Sequence, residues 1–477
     1  MSYTDIDNPL EHFNTVTYTG NVDHSSANGS QNITGVGFEP DWVWIKPKTL
    51  GYAAGSHNLT DSVRGEGVGL FMDSNSGEYD YGTSANGGSV TAFGSDGFTL
   101  GGASQVNEDS NTYVAWNWLA GGTAPTKTYT VKVVSDSGNK YRFDDFGTSA
   151  VTLDLQEGGT YTFDQSDSSN SGHPLRFSTT SDGTHGGGSE YTTGVTTTGT
   201  PGSAGAKTVI TLGSGVATLY YYCTQHSGMG GQANTNSTHG SSNFSGSIQS
   251  TASVNTTAGF SIVTWTGNGT AGQTIGHGLG AVPNIIITKG RSSALNWFLF
   301  DSMSSYLKRL KLNTNDTQAN TDGLNDTAPT SSVFTVSGGG EANTSGVTYI
   351  GYLFAEKKGY SKFGSYTGNG SSSDGTFIYL GFKPAWFLVK RTDGSDHWTL
   401  WDNKRETTMN PNDNVLYPST TGAESSSDTS YACDFLSNGI KWRGASTGMN
   451  TSGGTYIYIA FAESPFVNSN GVPNNAR

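Results

Sequence analysis

One sequence unit occurs three times in this chain, and this repetition constrains the fold more than any other feature. Four landmarks recur in the same order: a Thr-Gly-Asn motif, a Pro-x5-Lys motif, a Leu-x-Asp motif, and an Asn-x5-Tyr motif before an apolar run. The Thr-Gly-Asn motifs end at Asn21, Asn268 and Asn369. The Pro-x5-Lys motifs begin at Pro40, Pro283 and Pro384. Chance does not repeat such an order three times, so the sequence predicts three copies of one module.

The spacing of the repeats predicts an additional domain inside the chain. The second and third Thr-Gly-Asn motifs lie 101 residues apart, whereas the first and second lie 247 residues apart. The extra length suffices for one domain and a linker. We therefore expect module 1 at 1–122, an inserted domain at 126–232, a Gly/Ser/Asn-rich linker at 233–257, module 2 at 258–357, module 3 at 358–464 and a C-terminal tail at 465–477.

The composition and the local patterns predict an all-β fold. Glycine accounts for 67 of the 477 residues and aromatic residues for 12%, which favours short strands and turns over helices. Alternating aromatic residues, as in WVW at 42–44 and YVAWNW at 113–118, indicate strands with one apolar face. Repeated units of about 100 residues with this pattern predict antiparallel β-sandwich or jelly-roll modules, three in this chain, with a Greek-key sandwich as the inserted domain.

Charge and hydropathy exclude several classes of partner. The formal net charge of −14 argues against nucleic acid, because phosphate binding needs clustered Lys and Arg. No apolar run approaches the roughly 18–20 residues of a membrane-spanning helix, so no membrane partner is expected. The segment MSYTDIDNPLEHFNTV lacks the basic and apolar regions of an export signal. Cys223 and Cys433 fall in different predicted domains, so we expect no intrachain disulfide.

The inserted domain contains a set of side chains that is typical of a copper site. Cys223, His226 and Met229 follow a C-x2-H-x2-M pattern directly after the apolar run ATLYYY, and His173 lies 50 residues earlier. A thiolate, two imidazoles and a weak axial thioether are the ligands of a type 1 copper centre. A tight loop between two strands brings the first three together, and a neighbouring strand supplies His173. The alternative is that Cys223 packs as a small apolar residue and binds no metal.

This part of the sequence resembles the cupredoxin family, which includes plastocyanin and amicyanin. The resemblance rests on SGHP around His173 and on YYCTQHSGMGG from Tyr221, and it covers roughly 100 residues. It implies a cupredoxin-like Greek-key sandwich. It also implies that His173, Cys223 and His226 are equatorial copper ligands and that Met229 is the axial one. His185 is a spare histidine in the intervening Gly/Thr-rich segment.

The repeated units resemble modules of structural proteins from tailed phages of marine bacteria, notably tail-fibre-like proteins. The motifs that carry this resemblance are GFEPDWVWIKPK, SDGFTLGG, NTYVAWNWLAGG and, in the third unit, GFKPAWFLVKRTDGSDHWTLWDN. The resemblance implies a virion structural protein of a tail or head fibre, made in the host cytoplasm without a signal peptide. It would present its modules to a host-surface glycan or protein. Its other partners would be virion proteins and further copies of itself, with a trimer favoured.

No motif in the chain predicts catalysis. A nucleophile elbow, a P-loop and an HExxH motif are all missing from the sequence. The aspartates of the Leu-x-Asp motif recur in every unit, which indicates turn or cap acceptors rather than catalytic acids. The tryptophans alternate within strands, which favours core packing over sugar stacking. Two alternatives stay open: a copper-binding redox protein anchored by the modules, and a glycan-degrading tail protein.

Overall fold

The computed structural model describes residues 3–23, 28–50, 55–84, 87–406 and 410–473, and almost all of its regular structure is β. The all-β fold class is confirmed, with several antiparallel sheets that pack face to face. The helical segments in this part of the chain are one α-turn, α1 (Ser104–Asn107), and the 3₁₀ turns Pro9–Glu11, Ser168–Asn170, Gly183–Gly186, Ser302–Ser304 and Thr429–Tyr431. None of the described helices has the length and apolar character needed to cross a membrane.

The strands follow the chain in four groups. Module 1 contains β1 (Phe13–Thr19), β2 (Gln31–Thr34), β3 (Trp42–Pro47), β4 (Asn58–Asp61), β5 (Val68–Phe71), β6 (Tyr79–Asp80), β7 (Val90–Gly94), β8 (Gly97–Leu100) and β9 (Thr112–Trp118). The inserted domain contains β10 (Thr126–Ser135), β11 (Asn139–Phe143), β12 (Leu153–Gln156), β13 (Thr160–Asp164), β14 (Leu175–Ser178), β15 (Val195–Thr198), β16 (Lys207–Thr211), β17 (Leu219–Cys223) and β18 (Gly231–Asn236).

The remaining strands form the second and third modules. Module 2 is built from β19 (Ser241–Asn243), β20 (Ser250–Asn255), β21 (Phe260–Thr266), β22 (Gln273–Gly276), β23 (Ile285–Gly290), β24 (Phe298–Asp301), β25 (Lys308–Lys311), β26 (Ala319–Asn320), β27 (Val333–Val336) and β28 (Thr348–Phe354). Module 3 is built from β29 (Ser361–Thr367), β30 (Phe377–Tyr379), β31 (Phe382–Arg391), β32 (Thr399–Asp402), β33 (Cys433–Leu436), β34 (Gly439–Trp442) and β35 (Thr455–Pro465).

Each module consists of a large sheet and a small sheet. The large sheets have the orders β1-β9-β3-β4-β5-β6, β19-β20-β21-β28-β23-β24-β25-β26 and β29-β35-β31-β32. The small sheets are β2-β8-β7, β22-β27 and β30-β34-β33. Alternation along β9 explains the layering. Tyr113 and Ala115 face the core between the two sheets of module 1, whereas Trp116 and Trp118 face a different core on the opposite side.

That second core is shared by all three modules. Trp42 of module 1 stacks on Tyr352 of module 2 with ring centroids 4.4 Å apart. Trp118 of module 1 packs against Trp386 of module 3 at 5.8 Å. Module 2 and module 3 meet through Phe354 and Phe461 at 5.5 Å. The tryptophans noted in the sequence are therefore core residues: Trp42, Trp44, Trp116, Trp118, Trp398 and Trp401 are each at most 2% exposed.

The Asn-x5-Tyr and Thr-Gly-Asn landmarks meet in each module. Asn343 is buried, and its side-chain oxygen accepts a hydrogen bond from the backbone N–H of Asn268 at 2.9 Å. The hydroxyl of Tyr349 accepts from the backbone N–H of Thr344 at 2.9 Å. The equivalent bonds in modules 1 and 3 are made by Asn107 with Asn21, Tyr113 with Glu108, Asn450 with Asn369, and Tyr456 with Thr451. These bonds give hydrogen-bond acceptors to backbone N–H groups of the Thr-Gly-Asn loop and of the loop that precedes the last strand of each module.

The Pro-x5-Lys landmark joins each module to the next. The Lys289 ammonium group donates to the carbonyl of Asn75 at 3.1 Å, and that of Lys390 donates to the carbonyl of Asn315 at 3.3 Å. Lys46 makes the equivalent bond to Thr421 at 3.5 Å. Module 2 thus contacts module 1, module 3 contacts module 2, and module 1 contacts module 3. Repeated directional contacts that return to their start close a ring, here within a single chain.

Two further sets of contacts follow the same cycle. Ring nitrogens at equivalent positions bond carbonyls of the neighbouring module: His57 with Tyr417 at 3.1 Å, Trp297 with Phe71 at 2.8 Å and Trp398 with Lys311 at 2.8 Å. In the reverse direction, backbone N–H groups donate to neighbouring carbonyls: Glu78 to Arg291, Gln318 to Thr392 and Glu424 to Lys48. The ring is therefore built from the same polar positions in all three modules.

The segment expected to be a linker is part of the sheets. Within 233–257, β19 pairs with β20, and β20 pairs with β21 along six residues from Ser250↔Trp265 to Asn255↔Phe260. The start of the segment belongs to β18 of the inserted domain. Ser250 and Ser253 are buried, so small polar side chains on this strand fill space beside the large sheet. A Gly/Ser/Asn-rich composition here serves close packing rather than a free tether.

Candidate metal centre

The metal-ligand pattern of the sequence lies on one hairpin of the inserted domain. This domain packs the sheet β11-β10-β13-β16-β15 against the sheet β12-β18-β17-β14, with an aromatic core between them. Strand β17 ends at Cys223, and residues 224–230 form the turn into β18. Cys223 is completely buried, whereas His226 in the turn is exposed.

His173 reaches the same end of the sheet from the neighbouring strand. Strand β14 pairs with β17 in a register that places Leu175 opposite Cys223, and His173 lies two residues before Leu175. The His173 carbonyl accepts hydrogen bonds from the Tyr141 hydroxyl and from the Gln165 side-chain amide, each at 2.9 Å. These bonds hold the backbone of His173 in place beside the end of β17.

The three donor atoms are close enough to share one ion. The Cys223 Sγ atom lies 3.8 Å from Nδ1 of His173 and 3.7 Å from Nδ1 of His226. The candidate ligand atoms of the three residues all lie within 4.8 Å of one another. Ligands bound at roughly 2.0–2.3 Å to one ion are about 3.6–3.8 Å apart at tetrahedral to trigonal angles. The separations therefore fit a mononuclear site, and sulfur with two imidazoles suits trigonal copper.

Met229 lies in the same turn, three residues after His226. Its side chain is buried at 1% exposure in the same core cluster as Cys223. Its backbone carbonyl accepts a hydrogen bond from the Tyr141 N–H at 3.0 Å. The structure thus brings together His173, Cys223 and His226 as a ligand group and places Met229 in the core beneath their turn.

The electrostatic surroundings favour a neutral imidazole at His173. Partial burial lowers the pKa of His173 below its ordinary 6.5, and the nearby His226 ring lowers it further. The two imidazole rings are 4.6 Å apart between centroids. A metal competes with protons for imidazole nitrogen, so a lowered pKa at His173 leaves that nitrogen available to an ion near neutral pH.

Several residues around the turn fix its shape. The backbone N–H of Gly228 donates to the Asp182 carboxylate at 2.8 Å, and Lys140 donates to the Gly228 carbonyl. A Cβ atom on Gly230 would lie 1.7 Å from the Tyr221 carbonyl oxygen, so only glycine fits there. His185, the spare histidine of the sequence, has its Nε2 3.0 Å from the Cys223 carbonyl oxygen. Its position beside the cysteine had no signal in the sequence.

The site lies at the end of the inserted domain that faces away from the modules. The chain enters and leaves this domain near Thr126 and Asn236, where Lys127 bonds the Ser242 carbonyl. The metal-ligand turn is at the other end of β18, which at about 3.3 Å per residue places it on the order of 20 Å from the junction. The exposed His226 is therefore open to solvent and to partners.

Outside this site, the candidate acids of the sequence are structural. In module 1, the Asp61 carboxylate accepts from the backbone N–H of Arg64 and pairs with its guanidinium at 2.5 Å. It also accepts from the Tyr352 hydroxyl of module 2 at 2.7 Å. In the described parts of the chain, the group of His173, Cys223 and His226 is the one cluster of three or more His, Cys, Asp or Glu ligands.

Comparison with known proteins assigns the chain to a family. The model of the family "Domain of unknown function (DUF7483)" matches residues 8–142 and 233–465, which is more than half of the chain, and the chain belongs to this family. The stretch between the two matched segments contains His173, Cys223, His226 and Met229. No curated protein matches the chain. No solved structure matches it either.

Proposed function

We propose that this member of the DUF7483 family is a structural protein of a tailed-phage particle, of the fibre type, that attaches the particle to the host surface. The observation that carries the proposal is the triplicated module closed into a ring by one chain. Its repeated charged residues are used in contacts between modules, as with Lys46, Lys289 and Lys390. Such a scaffold holds surface loops in fixed positions, which suits a binding protein.

Other virion proteins and a host glycan or protein are the proposed partners. The ring has three equivalent positions, so one copy matches a threefold-symmetric attachment point on a fibre. A homotrimer is the alternative assembly that the phage resemblance favours. The mass of the purified protein in solution distinguishes a monomer from a homotrimer.

Cell binding by the purified protein tests the attachment role. Fluorescently labelled protein should bind host cells saturably and should compete with intact particles for adsorption. Host polysaccharide incubated with the protein should release no reducing sugar. Sugar release would instead support the glycan-degrading alternative, and protein that neither binds cells nor slows adsorption would contradict attachment.

The geometry of the inserted domain favours a second proposal, copper binding. The carrying observation is the pair of Sγ–Nδ1 distances of 3.8 and 3.7 Å around Cys223. His173, Cys223 and His226 would hold the ion, with the Met229 thioether as a weaker ligand of a cupredoxin-like site. A copper ion bound there would supply one-electron redox chemistry or would cross-link the segment before β14 to the turn after β17.

The two cysteines of the chain provide a matched experiment. Titration with Cu²⁺ should produce an intense visible absorption band from the bond between sulfur and copper, at one ion per chain. The Cys223→Ser variant should lose the band. The Cys433→Ser variant should keep it, because Cys433 is buried in module 3, far along the chain from any imidazole of the site. A band that survives Cys223→Ser, or no band at all, would contradict the copper proposal.

A further inference from the structure

A cluster of exposed aromatic rings marks one corner of module 3. Large apolar side chains are mostly buried in this protein, yet Tyr3 is 60% exposed, Phe377 43% and Tyr379 55%. Phe377 and Tyr379 alternate along β30, so both project from its outer face while Ile378 between them is buried. Exposed aromatic residues that gather at one place indicate a binding surface.

Comparison of the three modules shows that the fold does not need these rings. Strand β30 corresponds to β2 in module 1 and β22 in module 2, and each strand has one buried isoleucine: Ile33, Ile275 and Ile378. The residues on either side of that isoleucine are Asn32 and Thr34, both exposed, in module 1, and the partly buried Thr274 and the buried Gly276 in module 2. Module 3 alone has Phe377 and Tyr379 at these positions. Two aromatic rings are therefore exposed to water where small residues support the same sheet.

A groove opens beside two of these rings, Tyr3 and Tyr379. Its volume is about 230 Å³, and its lining also includes Gly359, Gly381, Glu356 and Lys362. The ammonium group of Lys362 lies 6.0 Å from the centre of the Tyr379 ring. This groove, called the Tyr379 groove below, combines aromatic faces with charged groups at its rim.

We propose that the Tyr379 groove binds one saccharide unit of a host-surface glycan. The volume suits a single hexose ring. One face of such a ring presents C–H groups, which pack on the electron-rich face of an aromatic side chain. The hydroxyls at its edge match the Lys362 ammonium as donor and the Glu356 carboxylate as acceptor. A few placed polar groups around an apolar surface are the usual composition of a small-ligand site.

The chemistry argues for a saccharide over other ligands. A nucleic acid is disfavoured by the net charge of −14. An extended peptide is disfavoured because it would need a long apolar groove, whereas this groove is short and has both charge signs at its rim. One saccharide unit in a shallow groove implies weak binding per copy, and several copies on one particle multiply it. The proposal rests on the attachment role proposed above and adds its ligand class.

The repeats suggest a variant whose new residues already occur at the equivalent positions of module 1. The double variant Phe377→Asn/Tyr379→Thr installs the pair found in module 1, so it should fold. The probes are maltotriose, cellotriose, mannotriose and N-acetylglucosamine trimers, measured by saturation-transfer NMR on the full chain. At least one should receive saturation from the wild-type protein, with about a tenfold weaker affinity in the double variant. Tyr79→Thr, which removes another exposed tyrosine in module 1, should leave that affinity unchanged.

Binding to host cells separates this proposal from the attachment role. If no trisaccharide receives saturation, or if the double variant binds as well as the wild type, the groove is not a saccharide site. If the double variant still attaches to cells, the attachment role stands and only the proposal that the Tyr379 groove binds the host saccharide is contradicted. If the wild-type protein binds a saccharide but not cells, and the double variant loses the saccharide, the saccharide site is supported and the attachment role is contradicted.

Discussion

Two aspartates at equivalent positions of the repeat should respond differently to the same substitution. Asp402 is fully buried and pairs with the Arg405 guanidinium at 2.5 Å. It also accepts from the indole N–H of Trp116 in module 1 at 3.0 Å. Asp301 is equally buried, but it caps a 3₁₀ turn through the Ser304 N–H at 2.8 Å and has no arginine three residues later.

The hydrogen bond that Asp61 and Asp402 each accept from a neighbouring module has no counterpart at Asp301. Trp116 and Tyr352 donate to the aspartates of neighbouring modules, and the corresponding residue in β35 is Ile459, which has no donor. The Gln318 side-chain amide donates to the Asp301 carboxylate at 3.2 Å. Burial raises the pKa of the Asp301 carboxyl above its ordinary 3.8. The ionised form of Asp301 is therefore disfavoured by the fold.

The expected free energies follow from these partners. Asp402→Asn leaves Arg405 buried with Glu424 as its remaining carboxylate, and breaking a buried pair costs about 3–5 kcal/mol. Because Glu424 stays, we expect Asp402→Asn to lower the free energy of unfolding by about 3 kcal/mol, the lower end of that range. Asp301→Asn removes a carboxylate without a counter-charge and keeps a side-chain oxygen for the cap, so its cost should be about 1 kcal/mol or less.

Urea unfolding followed by tryptophan fluorescence measures both variants, because seven of the ten tryptophans lie in the shared core of the ring. The midpoint of unfolding should fall clearly for Asp402→Asn and only slightly for Asp301→Asn. Equal shifts for the two variants would refute the reasoning, since they would mean that the buried pair with Arg405 contributes nothing.

Two further predictions concern the inserted domain and its attachment to module 1. Gly230→Ala should disrupt the hairpin and abolish copper binding, because its Cβ would meet the Tyr221 carbonyl; Gly213→Ala, where a Cβ meets nothing within 4 Å, should bind copper as the wild type does. His239 bonds Asp41 at 2.6 Å, and although burial opposes protonation, Asp41 and the acids Glu39 and Glu66 raise its pKa above 6.5. A raised folded pKa stabilises the fold below the unfolded pKa of about 6.5, and this stability is lost as the pH rises through the folded value. Thermal unfolding between pH 5 and pH 9 (about 1.5 units below and 2.5 above the unfolded His pKa) should show that loss in the wild type and a flatter profile in His239→Gln; equal profiles would contradict the assignment.

The repeats made the modules predictable, because the Thr-Gly-Asn and Asn-x5-Tyr landmarks perform the same task in each copy. Asn343 and Tyr349 satisfy backbone groups a few residues away along the chain or in an adjacent loop, and such local roles leave a sequence pattern. The ring could not be read from the sequence. Lys289 meets Asn75 across 214 positions, and nothing in a Pro-x5-Lys motif specifies which module its lysine contacts.

The proximity of His173, Cys223 and His226 was predictable from the order of the strands, whereas copper binding by them stays a prediction. Cys223, His226 and Met229 lie in one turn, and His173 precedes the strand that pairs with β17. The segment 233–257 was misread as a linker because its composition hides a strand, β20, whose buried side chains are serines. An apolar alternation would have indicated that strand, but β20 lies between β19 and β21 and its buried side chains are Ser250 and Ser253.

Labelling of the protein on the phage particle tests its proposed place on a fibre most directly. Gold-conjugated antibodies against the purified protein, imaged on intact phage particles by electron microscopy, should decorate a peripheral tail or head fibre and should block adsorption to host cells. Label on the shell of the head would make it a decoration protein instead. Purified particles that carry no label, with the protein confined to the lysate, would contradict the proposed function.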